Sequence, residues 1–299
     1  MKKLSLIVLL TTASYTLCMK QEAMQIKPST EWDDEAYSQA NKFQEDVALQ
    51  MLRQFYSPDY LHEKKVLDVG CGTGNITVKI AKFAKKIRGI DASNNMIERA
   101  KKTYGHQKNL SFEHCHAEDF TTKKPYDDVT IFNCLHWIKD KNAALKSISM
   151  ALKSNGSLLG NVCTSPSPNI DRIVATQLAL ELVKDGLLNM EQLASLANVG
   201  ETDPTKEEFE ALLKENNFEI QYCKEQSFDL VLTDEKEIEK LYRPIIMAHE
   251  VTKSISEEHH ENLFTRFITM LIEKMTKDER GYSTPMVTTI FYALKLAEK

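Results

Sequence analysis

Val66-Leu67-Asp68-Val69-Gly70-Cys71-Gly72-Thr73-Gly74 sets glycines at every second position between a short apolar run and a helical pattern that starts at Asn75. Glycine admits the tight turns that a strand-to-helix junction needs, and lets the backbone approach a ligand with no side chain in the way. N–H groups at the start of the following helix favour electron-rich ligand atoms. A dinucleotide site would read G-x-G-x-x-G. Here the spacing is G-x-G-x-G, with Asn75 where the third dinucleotide Gly or Ala would fall. Asp68, two residues ahead of Gly70, would be repelled by a pyrophosphate and suits a ligand carrying an amino group.

On either side of this loop the pattern is that of a layered α/β protein. From Lys64 short apolar runs alternate with longer helical stretches, the order of a doubly wound parallel sheet. Strands are expected at 65–69, 86–90, 110–114, 128–133, 157–162, 218–228 and 286–296, and helices between the first five at 75–83, 94–104 and 141–152. Residues 32–56 read as a helix ahead of the sheet, with Phe43, Val47, Met51 and Phe55 along one face. After the fifth strand come a Ser-Pro-Ser-Pro loop at 165–168 and a helix at 170–184; a helical pair at 229–284 separates the last two strands. In that pair Phe264, Phe267, Ile268, Leu271, Ile272 and Met275 form an apolar stripe, which is either core packing or the wall of a substrate pocket.

With Asp68 and the three glycines in place, the loop resembles the first motif, D-x-G-x-G-x-G, of the class I S-adenosylmethionine-dependent methyltransferases. The resemblance covers residues 30–163 and continues in order along the chain. It implies a Rossmann-like seven-stranded, mostly parallel sheet in the order 3-2-1-4-5-7-6, its last strand antiparallel. It implies S-adenosyl-L-methionine as cofactor, held by Asp68, Gly70, Cys71, Gly72 and Gly74. Asp91 would accept the ribose hydroxyls, and Ala92 and Met96 would lie against the adenine. Glu118 or Asp119, the latter the better match, would take the adenine amino group, either acid being alternatively a solvated turn residue. Asn133 and the residues after it would face the methyl group. The L-K-P-G-G turn of the family is here Leu152-Lys153-Ser154-Asn155-Gly156, and Asn tolerates positive φ well enough to keep it.

Two shorter patches, Tyr37-Ser38-Gln39-Ala40-Asn41-Lys42-Phe43-Gln44 and Leu135-His136-Trp137-Ile138, resemble the trans-aconitate and juvenile-hormone-acid methyltransferases, which act on carboxylates of small acids. A carboxylate attacking a sulfonium methyl needs no base, only collinear placement in a dry pocket. Gln44 and the Trp137 indole are candidate neutral donors to such an acid, or else a solvent-facing amide and a packing ring. His136 is a candidate base for a hydroxyl acceptor, or a structural residue. Arg243 in Tyr242-Arg243-Pro244 could pair a second carboxylate or lie on the surface. The slot Asn133-Cys134-Leu135-His136 lacks the prolines of nucleic-acid amino methyltransferases, and Cys134 lacks the preceding Pro of cytosine-C5 enzymes. No metal site is expected: in His114-Cys115-His116 the cysteine points away from the histidines on a strand.

The whole-chain figures agree with this reading. The 299 residues carry 42% hydrophobic and 27% charged residues, which excludes disordered, collagen-like and multi-span membrane classes. A net charge of −5 gives no nucleic-acid footprint, so the expected partner is a small-molecule acceptor. The composition leaves the oligomeric state open. The six cysteines show no C-x-x-C pair and suit reduced thiols in a reducing, cytoplasmic setting. Against that, Lys2-Lys3, the apolar run 4–10 and small residues up to Cys18 have the form of a secretory signal peptide, and at 15 uncharged residues fall short of a membrane span. The expected organisation is a leader at 1–18 and one domain at 30–299. That domain divides into a cap helix (30–60), the cofactor core (64–163) and helical cap insertions (164–217 and 229–284). The competing readings are a hydroxyl- or carbon-directed methyltransferase on a quinone or lipid precursor, and an exported binding protein that retains the fold without catalysis.

Overall fold

The computed structural model describes residues 42–57, 59–189, 203–248, 252 and 255–297. The expected leader at 1–18, the start of the 32–56 helix and the Tyr37–Asn41 part of the acid-methyltransferase patch lie outside the described residues.

Helix α1 (Lys42–Phe55) leads into a sheet made of β1 (Lys65–Val69), β2 (Lys86–Asp91), β3 (Leu110–His114), β4 (Tyr126–Ile131), β5 (Leu152–Val162), β6 (Phe218–Leu232), the three-residue β7 (Thr276–Asp278) and β8 (Gly281–Lys295). The order is β3-β2-β1-β4-β5-β8-β6, with β7 paired to β8 off that path. β1 to β5 pair in parallel, and β8 runs antiparallel between β5 and β6. Apart from the short β7, this is the expected seven-stranded order with an antiparallel last strand.

Alternation along the strands builds a core on each face. Val66 and Ile87 turn toward the cluster that holds Met51 of α1, Ile80 of α2 (Asn75–Ala81) and Ile97 of α3 (Asn94–Tyr104). Leu67, Val69 and Ile131 turn the other way, against Leu145 and Ile148 of α4 (Lys141–Ala151) and Phe209 of α6 (Lys206–Glu215). Each such fully buried Leu or Ile contributes about 1.5–3 kcal/mol. A third cluster joins α5 (Ile170–Lys184), α7 (Glu235–Ala248) and α8 (His260–Lys274) to the late part of β6 and the early part of β8. The Phe264-to-Met275 stripe belongs to that cluster, so it packs as core.

Several boundaries shift for local reasons. β4 ends at Ile131 rather than 133, because Asn133 takes a left-handed φ of 50° that no strand continues through. β5 starts at Leu152, directly after α4, and Asn155 within it adopts φ 60° as the turn requires. β6 and β8 reach four and five residues farther than expected because they pair with each other from Phe218 to Leu232. Among the described residues no helix is long and apolar enough to cross a membrane.

Candidate functional site

Parallel strands β1 to β5 bring their C-terminal ends to one edge of the sheet, the edge where open α/β sheets bind ligands. The glycine loop leaves β1 there. Gly70, Gly72 and Gly74 have φ of 68°, 52° and 85°. At Gly70 a Cβ would come within 2.1 Å of the Cys134 sulfur, so glycine is required for space as well as conformation. Gly70 and Cys71 donate their N–H groups to Ile90 O at 2.8 and 3.0 Å, which ties the loop to the end of β2.

Asp91 completes that tie. Its Oδ2 accepts the Gly72 N–H and its Oδ1 the Ser93 N–H, each at 2.8 Å. A carboxylate can accept at about four positions, and these two bonds take one on each oxygen. Ser93 then caps α3 by accepting from Met96 N, which buries Met96 and leaves Ala92 half-buried beside Asp91.

Asp68 lies one layer beneath the loop. It is 3% exposed, and its two oxygens accept the hydroxyls of Thr77 at 2.6 Å and Thr130 at 2.7 Å. Burial, against the two hydroxyl donors, lifts its pKa to about 6. It would therefore act on a ligand ammonium as a charge under the floor. The threonine hydroxyls take one acceptor position on each oxygen of this buried carboxylate.

The loop encloses a small cavity of about 40 Å³, lined by Gly70, Cys71, Gly72, Thr73, Phe132 and Asn133 from the sheet side and by Gln44 and Glu45 from α1. Glu45 pairs with Lys79 of α2, holding α1 across the opening. Two buried polar atoms on this lining, Gln44 Oε1 and Asn133 Nδ2, have no hydrogen-bond partner among the described residues. A larger open hollow of about 380 Å³ lies between α4 and α6. It contains neither the glycine loop nor an unpartnered buried polar atom, so the smaller cavity is the candidate site. Its glycine cradle and orphaned amide atoms fit a ligand with both donor and acceptor groups.

Past β3 the two acids diverge. Glu118 is half-buried and its charge raises the Cys134 thiol, whereas Asp119 is exposed and acts on Cys115. Burial first, and nearby carboxylates second, push the Cys71 and Cys134 thiols far up, so both are protonated apolar packing groups.

The end of β4 holds Leu135–Trp137 in a single 3-10 turn. Trp137 is 45% exposed, while His136 is half-buried, its buried Nδ1 unpartnered among the described residues. Burial, assisted by the charges of Arg172 and Lys141, holds the His136 pKa down to about 3. Those cations escaped the sequence reading. Lys141 is 7% exposed and donates to Ile138 O at 3.0 Å; Arg172 pairs with the 4% exposed Asp203 at 2.7 Å. The available signal was Lys141 occupying the first place of the buried α4 stripe that continues through Ala144, Leu145 and Ile148. Arg243 is elsewhere: its guanidinium forks onto Glu261 at 2.7 and 3.2 Å and lies over the Phe264 ring, on the surface between α7 and α8.

Comparison with known proteins agrees with this architecture. The chain belongs to the methyltransferase-domain family, whose description, "Methyltransferase domain", matches residues 61–217. Juvenile hormone acid O-methyltransferase of Drosophila melanogaster is 31% identical over 153 residues, 47% of this chain and 52% of that protein. Malonyl-[acyl-carrier protein] O-methyltransferase of Priestia megaterium is 30% identical over 118 residues, 39% of this chain and 43% of that protein. The chain thus spans about half the length of the curated relatives it matches. Among solved structures, a phosphoethanolamine N-methyltransferase of Haemonchus contortus, in complex with phosphomonomethylethanolamine and S-adenosylhomocysteine, superposes with a TM-score of 0.54 at 16% identity. That match covers 88% of this chain and 57% of the other, and shows the shared fold.

Proposed function

We propose that this protein is an S-adenosylmethionine-dependent methyltransferase that esterifies the carboxylate of a small organic acid. Family membership and the glycine loop support the cofactor, as does the S-adenosylhomocysteine bound to the Haemonchus enzyme of the same fold. When bound, the cofactor supplies an electrophilic methyl group on a sulfonium. In this reading the Gly70–Gly74 backbone, with Cys71 packed beneath, cradles the amino-acid end, and Asp91 accepts the ribose hydroxyls. Ala92 and Met96 flank the adenine, Glu118 or Asp119 meets its amino group, and Asp68 adds negative potential below.

The observation that carries the acceptor class is the state of His136. With its pKa held to about 3 it is a neutral imidazole and a very weak base, unable to deprotonate a hydroxyl at neutral pH. A nucleophile that needs no proton removed by His136, such as a carboxylate, fits this state. Gln44 and Trp137 would then orient the acid, and the surrounding apolar packing would keep water from the reacting oxygen. The two curated relatives named above, an acid O-methyltransferase and a malonyl O-methyltransferase, are consistent with that class.

Calorimetric titration with S-adenosylmethionine tests the first part, and micromolar binding is expected. Folded protein that takes up none would end the enzyme reading. A methyl-transfer screen over small organic acids, hydroxyl compounds and amines tests the second part. Products are expected to be esters released by mild alkali, whereas alkali-stable ethers or methylamines would move the acceptor to another class.

A further inference from the structure

Asn161 on β5 is 1% exposed and contacts both the end of β4 and β8. Its Oδ1 accepts the backbone N–H of Asn133 at 3.0 Å. A backbone N–H can only donate, so the amide oxygen of Asn161 must face it. The opposite side agrees: Nδ2 donates to Thr288 Oγ1 at 3.1 Å, and that hydroxyl gives its own proton to Val162 O at 3.1 Å. Two independent partners thus turn the Asn161 amide the same way round. The same Nδ2 donates to Asn133 Oδ1 at 2.8 Å. Asn133 therefore has its oxygen committed to β5 and its nitrogen turned away from it. That nitrogen is the buried Nδ2 with no partner among the described residues, on the lining that also holds Gly70, Gly72 and Gln44.

We infer that Asn133 is a fixed amide N–H donor for a ligand carboxylate, with Asn161 and Thr288 as the positioning residues that set its polarity. The choice of ligand follows from lone pairs. A carboxylate has about four acceptor positions, so it can accept from Asn133 and keep another free. A neutral amine has a single lone pair, and the same donor would occupy the electrons needed for attack. The inference deepens the methyltransferase reading and rests on it for the identity of the ligand. That carboxylate belongs either to the amino-acid end of the cofactor or to the methyl acceptor.

Asn133→Asp keeps the shape and the contact with Asn161 and removes the donor. Asn161→Asp leaves Asn133 in place but can only accept, which should turn the Asn133 oxygen into the cavity. Thermal melting establishes that each variant folds, and the half-buried Asn133 carries the test if the Asn161 variant does not. Dissociation constants for S-adenosylhomocysteine and for 5′-methylthioadenosine, which lacks the amino-acid end, separate the two sources. If the donor holds the cofactor, Asn133→Asp weakens S-adenosylhomocysteine by roughly tenfold or more and leaves methylthioadenosine unchanged. If it holds the acceptor, both nucleosides bind as before, and KM for the acid found in the methyl-transfer screen rises by roughly tenfold or more. Equal Kd and KM values in wild type and both variants would overturn the inference. NMR of the Asn133 side-chain amide during titration with propionate separates failure of this inference from failure of the cofactor reading. A shift in protein that binds no S-adenosylhomocysteine keeps the donor and retires the methyltransferase. No shift with any of these ligands retires the donor.

Discussion

Along β1 and β2 the groups that line the cavity or brace its loop come from one local stretch, residues 68–93, and most of them are backbone: Gly70 and Cys71 bound to Ile90 O, Gly72 to Asp91, Ser93 to Asp91. Past β4 the candidate residues are side chains set by groups gathered from far apart, of which Asn133 lines the cavity. Asn133 is oriented by Asn161 and Thr288, and His136 is set by Lys141 and Arg172. A site side made of backbone depends on conformation, and hence on a few glycines. A side made of side chains depends on charge and on which way each amide is turned. The two should therefore fail differently when substituted.

Gly70→Ala is the most severe test of the backbone-built side. It combines a left-handed φ with a Cβ overlapping the Cys134 sulfur, and should cost about 4 kcal/mol in urea denaturation together with loss of S-adenosylmethionine binding. Gly186→Ala supplies the internal control. Its φ of 73° is equally left-handed, yet nothing lies within 4 Å of the added Cβ, so only the conformational cost of about 1 kcal/mol remains. Equal losses at the two glycines would show that close approach to β4 does not constrain the loop.

His136→Gln probes the side-chain-built half through pH. The folded pKa of about 3 lies below the ordinary 6.5, so the unfolded chain takes up the proton first. The stability this histidine contributes is fully present above pH 6.5 and is lost as pH falls toward 3. Between pH 7 and pH 4 the wild type should lose about 3 kcal/mol more than His136→Gln. Parallel pH profiles would mean that His136 is solvated, and would return it to the list of candidate bases.

Asp68→Asn should show the opposite slope. Its folded pKa of about 6 lies above the ordinary 3.8, so its favourable contribution is complete below pH 3.8 and is lost as pH rises through 6. Relative to Asp68→Asn, the wild type should weaken by about 2–3 kcal/mol from pH 4 to pH 7. In the wild type the two slopes overlap and largely cancel, so the single variants are needed to expose them. A wild-type-like profile for Asp68→Asn would place the charge in solvent and reopen direct contact between Asp68 and a ligand.

The same division accounts for what could be read in advance. β1, β3 and α5 match the expected ranges residue for residue, because each is a run of local pattern bounded by turn or capping residues. The glycine loop and Asp91 are equally local. β6 and β8 were underestimated because much of their length alternates weakly, their pairing with each other supplying what the apolar pattern does not. Asn161 left a faint mark, an amide inside the apolar run Leu158 to Val162, but its meaning depends on Asn133 and Thr288, 28 and 127 positions away. The Arg172–Asp203 pair likewise joins residues whose proximity only the folded chain reveals.

Arg243→Ala should have the smallest effect, and it defines where the side-chain-built half ends. The late helical segment made Arg243 a candidate for a second substrate carboxylate, but its donors are engaged by Glu261, itself 72% exposed, and its face rests on Phe264. An ion pair in water gains little, because solvent and salt screen it and two long side chains must be held in one geometry. Removing the guanidinium should shift Tm by about 2 °C or less, with KM for the acid substrate unchanged. A large rise in that KM with kcat preserved would show that Arg243 leaves Glu261 when substrate binds. The acceptor side would then extend beyond Asn133, His136, Lys141 and Arg172 to α7.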